Sequence, residues 1–109
     1  MNRTFKEVPS FTTKWKALGL TDDDLRTLQD ILLKNPKTGK KIADTGGLRK
    51  IRIPVNKLGK RCGGRVIYVD IEIKECIYLI DVYTKNEQSG LSKKEKKMLK
   101  KLVSALTEE

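Results

Sequence analysis

Histidine is absent from this chain of 109 residues, and other residues that commonly carry enzyme chemistry are scarce. Without imidazole, the paired-histidine ribonuclease mechanism and the serine or cysteine triads that depend on histidine are excluded. The only cysteines, Cys62 and Cys76, form no CxxC pair, so a zinc site is not expected. We interpret both cysteines as reduced thiols.

Long apolar runs are also missing. None approaches the roughly 20 residues that cross a bilayer, and the first residues lack the apolar stretch of a signal peptide. We therefore expect a cytoplasmic protein without a membrane partner. Apolar residues make up 38% and charged residues 35% of the chain, a composition that still allows a packed core. At this length we expect one domain spanning residues 1–109.

Acidic residues are almost missing from the middle of the chain. The net charge is +10, and residues 34–65 hold eleven lysines and arginines against Asp44 alone. The segments 1–33 and 66–109 each carry equal numbers of basic and acidic side chains. A positive field concentrated in this way attracts polyanions, which favours nucleic acid as the partner. The alternative is a solvated basic surface that maintains solubility.

Aromatic residues are few, and their positions indicate packing. Tyr68, Tyr78 and Tyr83 could stack on bases or donate a proton, but each lies in an apolar stretch. Trp15 lies on the apolar stripe of a short helix, where a core position is expected. Packing in the core or at its rim is therefore the predicted role of all four.

The spacing of apolar residues predicts an α+β fold with the element order β-α-α-β-β-β-α. A short edge strand over residues 3–8 precedes a short helix, and Thr21 begins a second helix by capping its free amides. Residues 37–47 are interpreted as a loop. The small sheet is expected to be dominated by antiparallel pairs.

Three strands in a meander and a C-terminal helix complete this order. The strands are expected over residues 48–55, 65–73 and 76–83, with Ile73 on the apolar face of the second strand. The third strand is nearly continuous in apolar residues, which is typical of a central strand covered on both faces. A capping box at Ser92 predicts the start of the helix.

The carboxylates of these strands, Asp70, Glu72, Glu75 and Asp81, show no metal-ligand spacing, so neither a metal nor another cofactor is expected. A remaining route to strand cleavage is attack by a ribose 2′-hydroxyl on the adjacent phosphate, with arginine and lysine stabilising the charge that develops. That route requires RNA. Clustered cations also favour loss of a proton from a lysine, which could then replace histidine as the base.

Three basic residues are the best candidates for holding a phosphate. Lys50 and Arg52 lie one strand period apart on a single face, although solvent-facing strand residues would show the same spacing. Arg65 follows two glycines at the start of a strand, where its planar fork suits a phosphate. The alternative for Arg65 is a salt bridge to Asp70 or Glu87.

Four runs of residues stand out together: Asn35-Pro36-Lys37-x-Gly39, Thr45-Gly46-Gly47-Leu48-Arg49-Lys50-Ile51-Arg52, Gly59-Lys60-Arg61-x-Gly63-Gly64-Arg65-Val66-Ile67-Tyr68 and Tyr83-Thr84-Lys85-Asn86-Glu87. In this order and at these distances, they resemble the HigB branch of the RelE/ParE toxin superfamily. The resemblance spans nearly the whole chain and implies the RelE-like fold.

The resemblance also implies a function. It points to an endoribonuclease toxin that cleaves messenger RNA on the ribosome without a cofactor and is neutralised by a cognate antitoxin, a DNA-binding protein of the HigA type. The implied catalytic residues are Lys50, Arg52, Arg65 and Lys85. Within the basic segment 34–65, we expect Arg49, Lys57, Lys60 and Arg61 to bind the RNA.

The chain departs from the family pattern at three places. Cys62 stands where relatives have glycine, Asn86 stands where some have arginine, and no tyrosine follows Tyr83. The identity of the general base therefore stays open. Two other functions remain as alternatives, namely a non-catalytic module that binds RNA or the ribosome and a toxin of the same superfamily that poisons DNA gyrase.

Overall fold

The computed structural model describes residues 2–53, 64–84 and 90–108. These residues form five strands and three helices. In chain order they are β1 (Thr4–Glu7), α1 (Pro9–Ala17), α2 (Asp22–Lys34), β2 (Lys40–Lys41), β3 (Arg49–Ile53), β4 (Gly64–Ile71), β5 (Cys76–Thr84) and α3 (Lys93–Glu108).

The strands form one mixed sheet in the order β1-β5-β4-β3-β2. β1 runs parallel to β5, and the other neighbouring strands are antiparallel. This arrangement confirms the predicted α+β fold, the edge position of the first strand and the meander of β3, β4 and β5. The additional strand, β2, lies within the predicted loop, because two consecutive lysines give no apolar signal and only their pairing with β3 makes them a strand.

Helices α1 and α2 cover one face of the sheet. Phe11 and Trp15 stack with ring centroids 5.4 Å apart, and Leu28 and Leu32 extend the same buried cluster along α2. The apolar side of β3 contributes Ile53 to this cluster. The predicted core position of Trp15 is confirmed, and the indole nitrogen of this residue donates a hydrogen bond to the carbonyl of Thr21 at 3.0 Å.

Helix α3 covers the opposite face. Val103 is buried there in one cluster with Leu48, Ile67 and Ile80. Leu48 directly precedes β3, Ile67 lies on β4 and Ile80 lies on β5. β5 is thus covered on both faces, as its nearly continuous apolar sequence predicts. β4 is also covered on both faces, although its alternating sequence predicts one apolar face. Among the described residues, no helix has both the length and the apolar character needed to cross a membrane.

Side-chain caps fix the starts of the two longer helices. The Thr21 hydroxyl accepts a hydrogen bond from the amide of Asp24, and the Asp24 carboxylate accepts one from the amide of Thr21. Ser92 and Glu95 make the same reciprocal pair before α3. Both predicted helix starts are confirmed, since each cap satisfies amides that have no partner within the helix.

The end of β4 differs from the prediction. The strand ends at Ile71, a 3-10 turn follows over Glu72–Lys74, and the side chain of Ile73 is 85% exposed rather than part of the apolar face. Glu75 adopts a left-handed conformation with φ +50°, and the Lys74 amine donates to the carbonyl of Leu106 at 2.6 Å. The chain therefore turns toward the end of α3 two residues before the alternating pattern stops.

Candidate phosphate-binding site

The three leading candidate residues lie on the sheet face that α3 covers. Arg65 on β4 is directly opposite Arg52 on β3 and directly opposite Tyr83 on β5. Directly opposed residues of antiparallel strands project to the same face, and Tyr83 belongs to the cluster beneath α3. Lys50 lies on that face as well, two residues before Arg52. The structure thus brings together Lys50, Arg52 and Arg65.

The sheet pairs like charges at this end. The opposed pairs are Lys40 with Lys50, Lys41 with Arg49, and Arg52 with Arg65. Like charges placed directly opposite one another destabilise a sheet. Within the described residues, the salt bridges are made by Arg3, Lys14 and Lys37, so a carboxylate neutralises none of the six opposed cations. Such an arrangement favours binding of a polyanion.

Asp70 does not neutralise Arg65. The Arg3 guanidinium contacts both carboxylate oxygens of Asp70, at 2.7 and 3.3 Å, and Arg65 donates from Nη1 to the Gly64 carbonyl at 3.2 Å. The salt bridge to Asp70 considered from the sequence is therefore wrong, while Glu87 lies outside the described residues. Across residues 2–53, 64–84 and 90–108, acidic and cysteine side chains form no group of three or more that could hold a metal ion.

Tyr83 has a role beyond the packing predicted from the sequence. Its side chain is buried beneath α3, and it also forms part of a cavity of about 180 Å³ between the sheet and the start of that helix. Burial raises the pKa of the phenol, the positive charge of Arg65 opposes this shift, and the negative charges of Asp81 and Glu95 add to it. The cavity is lined by Ile42, Lys50, Tyr83, Gly90, Leu91 and Lys96.

Lys96 is the second residue of this site that the sequence did not identify. Helix α3 holds six lysines, but the summed charge of residues 66–109 is zero because the eight acidic residues of this segment cancel these six lysines together with Lys74 and Lys85. Lys96 is half-buried, whereas the other five lysines of α3 are exposed. Charge counted within the helix alone, rather than over the whole segment, would have indicated this basic surface.

Arg49 has a structural role in addition to its predicted RNA contact. Its Nη1 atom donates to the carbonyls of Lys37, at 3.1 Å, and of Gly39, at 2.9 Å. This guanidinium therefore holds the segment between α2 and β2 against β3. The other predicted residues Lys57, Lys60, Arg61 and Lys85 lie outside the described residues, as do Cys62 and Asn86.

The Thr45-Gly46-Gly47 motif forms the turn that leads into β3. The fully buried Thr45 hydroxyl donates to the Ile42 carbonyl at 2.7 Å and accepts from the Leu48 amide at 3.2 Å. Gly46 and Gly47 have φ values of +78° and +120°, which are unfavourable for other residues. The motif thus fixes where β3 begins and which face carries Lys50.

The motif around Pro36 and Gly39 is held by Tyr68. The Tyr68 hydroxyl donates to the Pro36 carbonyl at 2.8 Å and accepts from the Gly39 amide at 2.8 Å. The ring is fully buried, which confirms the packing role predicted for this tyrosine. The contacts of Pro36 and Gly39 with Tyr68, like the turn at Thr45, therefore position the basic strand.

Comparison with known proteins agrees with this architecture. The model of the family described as "RelE toxin of RelE / RelB toxin-antitoxin system" matches residues 2–109. An E. coli RelE toxin carrying two arginine-to-alanine substitutions, solved in the free state, superposes with a TM-score of 0.59 at 17% identity, covering 82% of this chain and 90% of RelE. A chain of the intact E. coli RelBE toxin-antitoxin complex gives a TM-score of 0.55 at 17% identity, covering 75% of this chain and 94% of its own length. With the fold shared and the family model matched over nearly its whole length, the chain belongs to the RelE toxin family.

Proposed function

We propose that this chain is a HigB-type, ribosome-dependent endoribonuclease that cleaves messenger RNA and thereby inhibits translation. The observation that carries the proposal is the opposed pair Arg52 and Arg65, two cations held on one face without a described carboxylate between them. This arrangement is costly for the sheet and suits a phosphate, because planar guanidinium groups bind its oxygens with two parallel hydrogen bonds.

The reaction follows from what these side chains can do. A ribose 2′-hydroxyl attacks the adjacent phosphorus atom, the bond to the 5′-oxygen of the next nucleotide breaks, and Arg52 and Arg65 stabilise the added negative charge. A lysine of the predicted set, Lys50 or Lys85, removes the 2′-hydroxyl proton, and the leaving 5′-oxygen takes up a proton from that lysine or from water. These steps require no cofactor.

The proposed partners are the ribosome with its messenger RNA and a cognate antitoxin. The solved relative RelE is described in a complex with the antitoxin RelB, which supports an antitoxin for this family member. We propose a DNA-binding antitoxin of the HigA type, on the basis of the HigB-like motifs in the sequence. The cytoplasm, where translation takes place, is the corresponding location.

The test is the fate of a defined messenger RNA in a reconstituted translation reaction, with the 5′ ends of all fragments mapped. We expect cuts only on translating ribosomes. The cuts should require no metal ion other than the magnesium that the ribosome itself needs. Arg65→Ala should lower the cleavage rate by about 10²–10³-fold, the usual effect of removing one preorganised charge-stabilising donor. Arg26→Ala, which removes an exposed arginine of α2, is the matched control.

Three results would contradict the proposal. Retained cleavage in Arg65→Ala would remove the arginine pair from the mechanism. Cys62→Gly restores the glycine that relatives have at this position. RNA binding without cleavage, in this variant as in the wild type, would indicate a binding module. Trapping of gyrase on DNA with translation intact would indicate the gyrase-directed function.

A further inference from the structure

We propose that the cavity beneath the start of α3 is a second phosphate subsite, in which Lys50, Lys96 and Tyr83 bind the RNA phosphate next to the one held by Arg52 and Arg65. The inference rests on the proposed function for the identity of the RNA strand. It adds a residue of the terminal helix to a site otherwise built from strands.

The geometry of the cavity supports a small anionic ligand. Its volume of about 180 Å³ suits a single small group rather than a folded partner, and it is bounded by β3, β5 and the segment that enters α3. Lys50 and Lys96, two lysines from elements far apart in the sequence, both line it. Both side chains are half-buried, which reduces the water available to each charge.

No described carboxylate lines the cavity, and the two that act electrostatically on Tyr83, Asp81 and Glu95, already accept hydrogen bonds from other groups. Glu95 accepts from the amide of Ser92 as part of the helix cap, and Asp81 accepts from the Lys14 amine at 2.8 Å and from the amide of Val82 at 2.9 Å. Two half-buried cations that share a cavity without an anion repel each other. A phosphate between them would relieve this repulsion and receive a hydrogen bond from each amine.

Tyr83 can contribute a neutral donor to the same group. Its phenol is buried, and because burial raises its pKa the hydroxyl stays protonated at neutral pH. The aliphatic side chains of Ile42 and Leu91 complete the wall of the cavity. A neutral hydroxyl beside two ammonium groups is a suitable donor set for phosphate oxygens.

The position along β3 relates the cavity to the reacting phosphate. Lys50 and Arg52 are two residues apart on one strand, a separation of roughly 7 Å between equivalent backbone atoms. This is comparable to one nucleotide step of an extended strand. An RNA backbone that runs beside β3 could therefore place one phosphate at Arg52 and Arg65 and its neighbour at Lys50 and Lys96.

The experiment compares Lys96→Ala with Lys97→Ala, two variants of adjacent lysines with the same loss of charge. Binding of a short, labelled single-stranded RNA is followed by fluorescence anisotropy over a series of salt concentrations. We expect Lys96→Ala to bind about tenfold more weakly than the wild type, as for loss of one charged hydrogen bond. Its plot of log K against log salt should be shallower by about 0.7, the value for one phosphate contact to a single strand. Lys97 is exposed, so its removal should leave both quantities near those of the wild type.

Equal effects of Lys96→Ala and Lys97→Ala on affinity and on the salt slope would overturn the subsite. Lys96→Arg should recover most of the affinity if a cation at this position is what matters, and continued weak binding in this variant would contradict the proposal. Circular dichroism of each variant identifies any loss of the fold. If the wild type leaves messenger RNA intact while Lys96→Ala still changes the salt slope, the proposed cleavage fails and the subsite stands.

Discussion

Arg52 of β3 and Arg65 of β4 oppose each other across an antiparallel pair of strands, and the strand beyond Arg65 presents the buried ring of Tyr83 at the same level. Neighbouring guanidinium groups in this position repel each other unless an anion lies between them. The opposed charges therefore lower the stability of the fold at the place where the protein is proposed to bind phosphate. Removal of one of these charges should raise stability and lower activity.

Replacing Arg52 by glutamine should separate these two effects. Arg52→Gln is expected to raise the free energy of unfolding by about 0.2–1 kcal/mol, because it removes a directly opposed pair of like charges, and to lower the rate of RNA cleavage. Urea unfolding at low salt measures the first effect. Arg26→Gln is the control, since Arg26 lies one helical turn from both Asp22 and Asp30 and its removal should give no gain. A lower stability for Arg52→Gln would contradict the repulsion.

The hydroxyl of Tyr68 should contribute measurably to stability. Tyr68→Phe leaves the Gly39 amide and the Pro36 carbonyl without their partner in a buried position, so we expect a loss of about 1–3 kcal/mol in the free energy of unfolding. Tyr78→Phe is the matched control, because the half-buried Tyr78 ring lies at the surface under the Lys6 amine. Equal melting temperatures for the two variants would refute this role.

Alkaline pH should destabilise the protein through the same residue. Burial raises the pKa of Tyr68 in the folded state above its ordinary value of 10.0, while the unfolded chain titrates near that value. The folded state then retains the phenolic proton at a pH where the unfolded state has released it, so stability falls as the pH rises above 10. Tyr83 contributes in the same direction. Urea midpoints measured between pH 9 and 11 should fall more steeply for the wild type than for Tyr68→Phe, and parallel curves would contradict the assignment.

Gly39 should tolerate no side chain. A Cβ atom there would lie 2.7 Å from Cε1 and from the hydroxyl of Tyr68 and 3.0 Å from the carbonyl oxygen of Lys50. We expect Gly39→Ala to cost about 1–3 kcal/mol, as for overpacking of a filled core, and to shift β3 and its basic residues. At Gly90 a Cβ would meet no atom within 4 Å, so Gly90→Ala serves as the control. Thermal unfolding followed by circular dichroism compares the two, and similar melting temperatures would argue against the close approach.

Local sequence signals were sufficient to predict most of the fold. The reciprocal caps at Thr21 and Ser92 determine where two helices begin, and the change to alternating apolar residues after Leu48 marks the meander. What could not be predicted depends on partners distant in the chain. Lys40 and Lys41 become a strand only through their pairing with β3, and Ile73 leaves the apolar face because the turn after Ile71 directs Lys74 to the end of α3.

The candidate site could also be predicted only in part, because two of its residues depend on partners distant in the chain. Lys50, Arg52 and Arg65 follow from strand alternation and from the position of a charge after two glycines, and the structure places them on one face. Lys96 and Tyr83 reach the site through packing of α3 on the sheet, a contact between elements whose geometry no local pattern specifies. Tyr83 is both a packing residue and part of the cavity wall, and an apolar neighbourhood in sequence indicates only the first.

The buried turn at Thr45 affects how relatives of this protein should be recognised. Its hydroxyl bridges Ile42 and Leu48, and the two glycines after it have backbone angles that other residues rarely adopt. Selection for a correctly placed β3 would preserve this triplet even in a descendant that had lost all cleavage. A sequence search based on the triplet would therefore group proteins by shared architecture, and the charges proposed for cleavage, at positions 50, 52, 65 and 85, would be needed to divide that group into nucleases and inactive members.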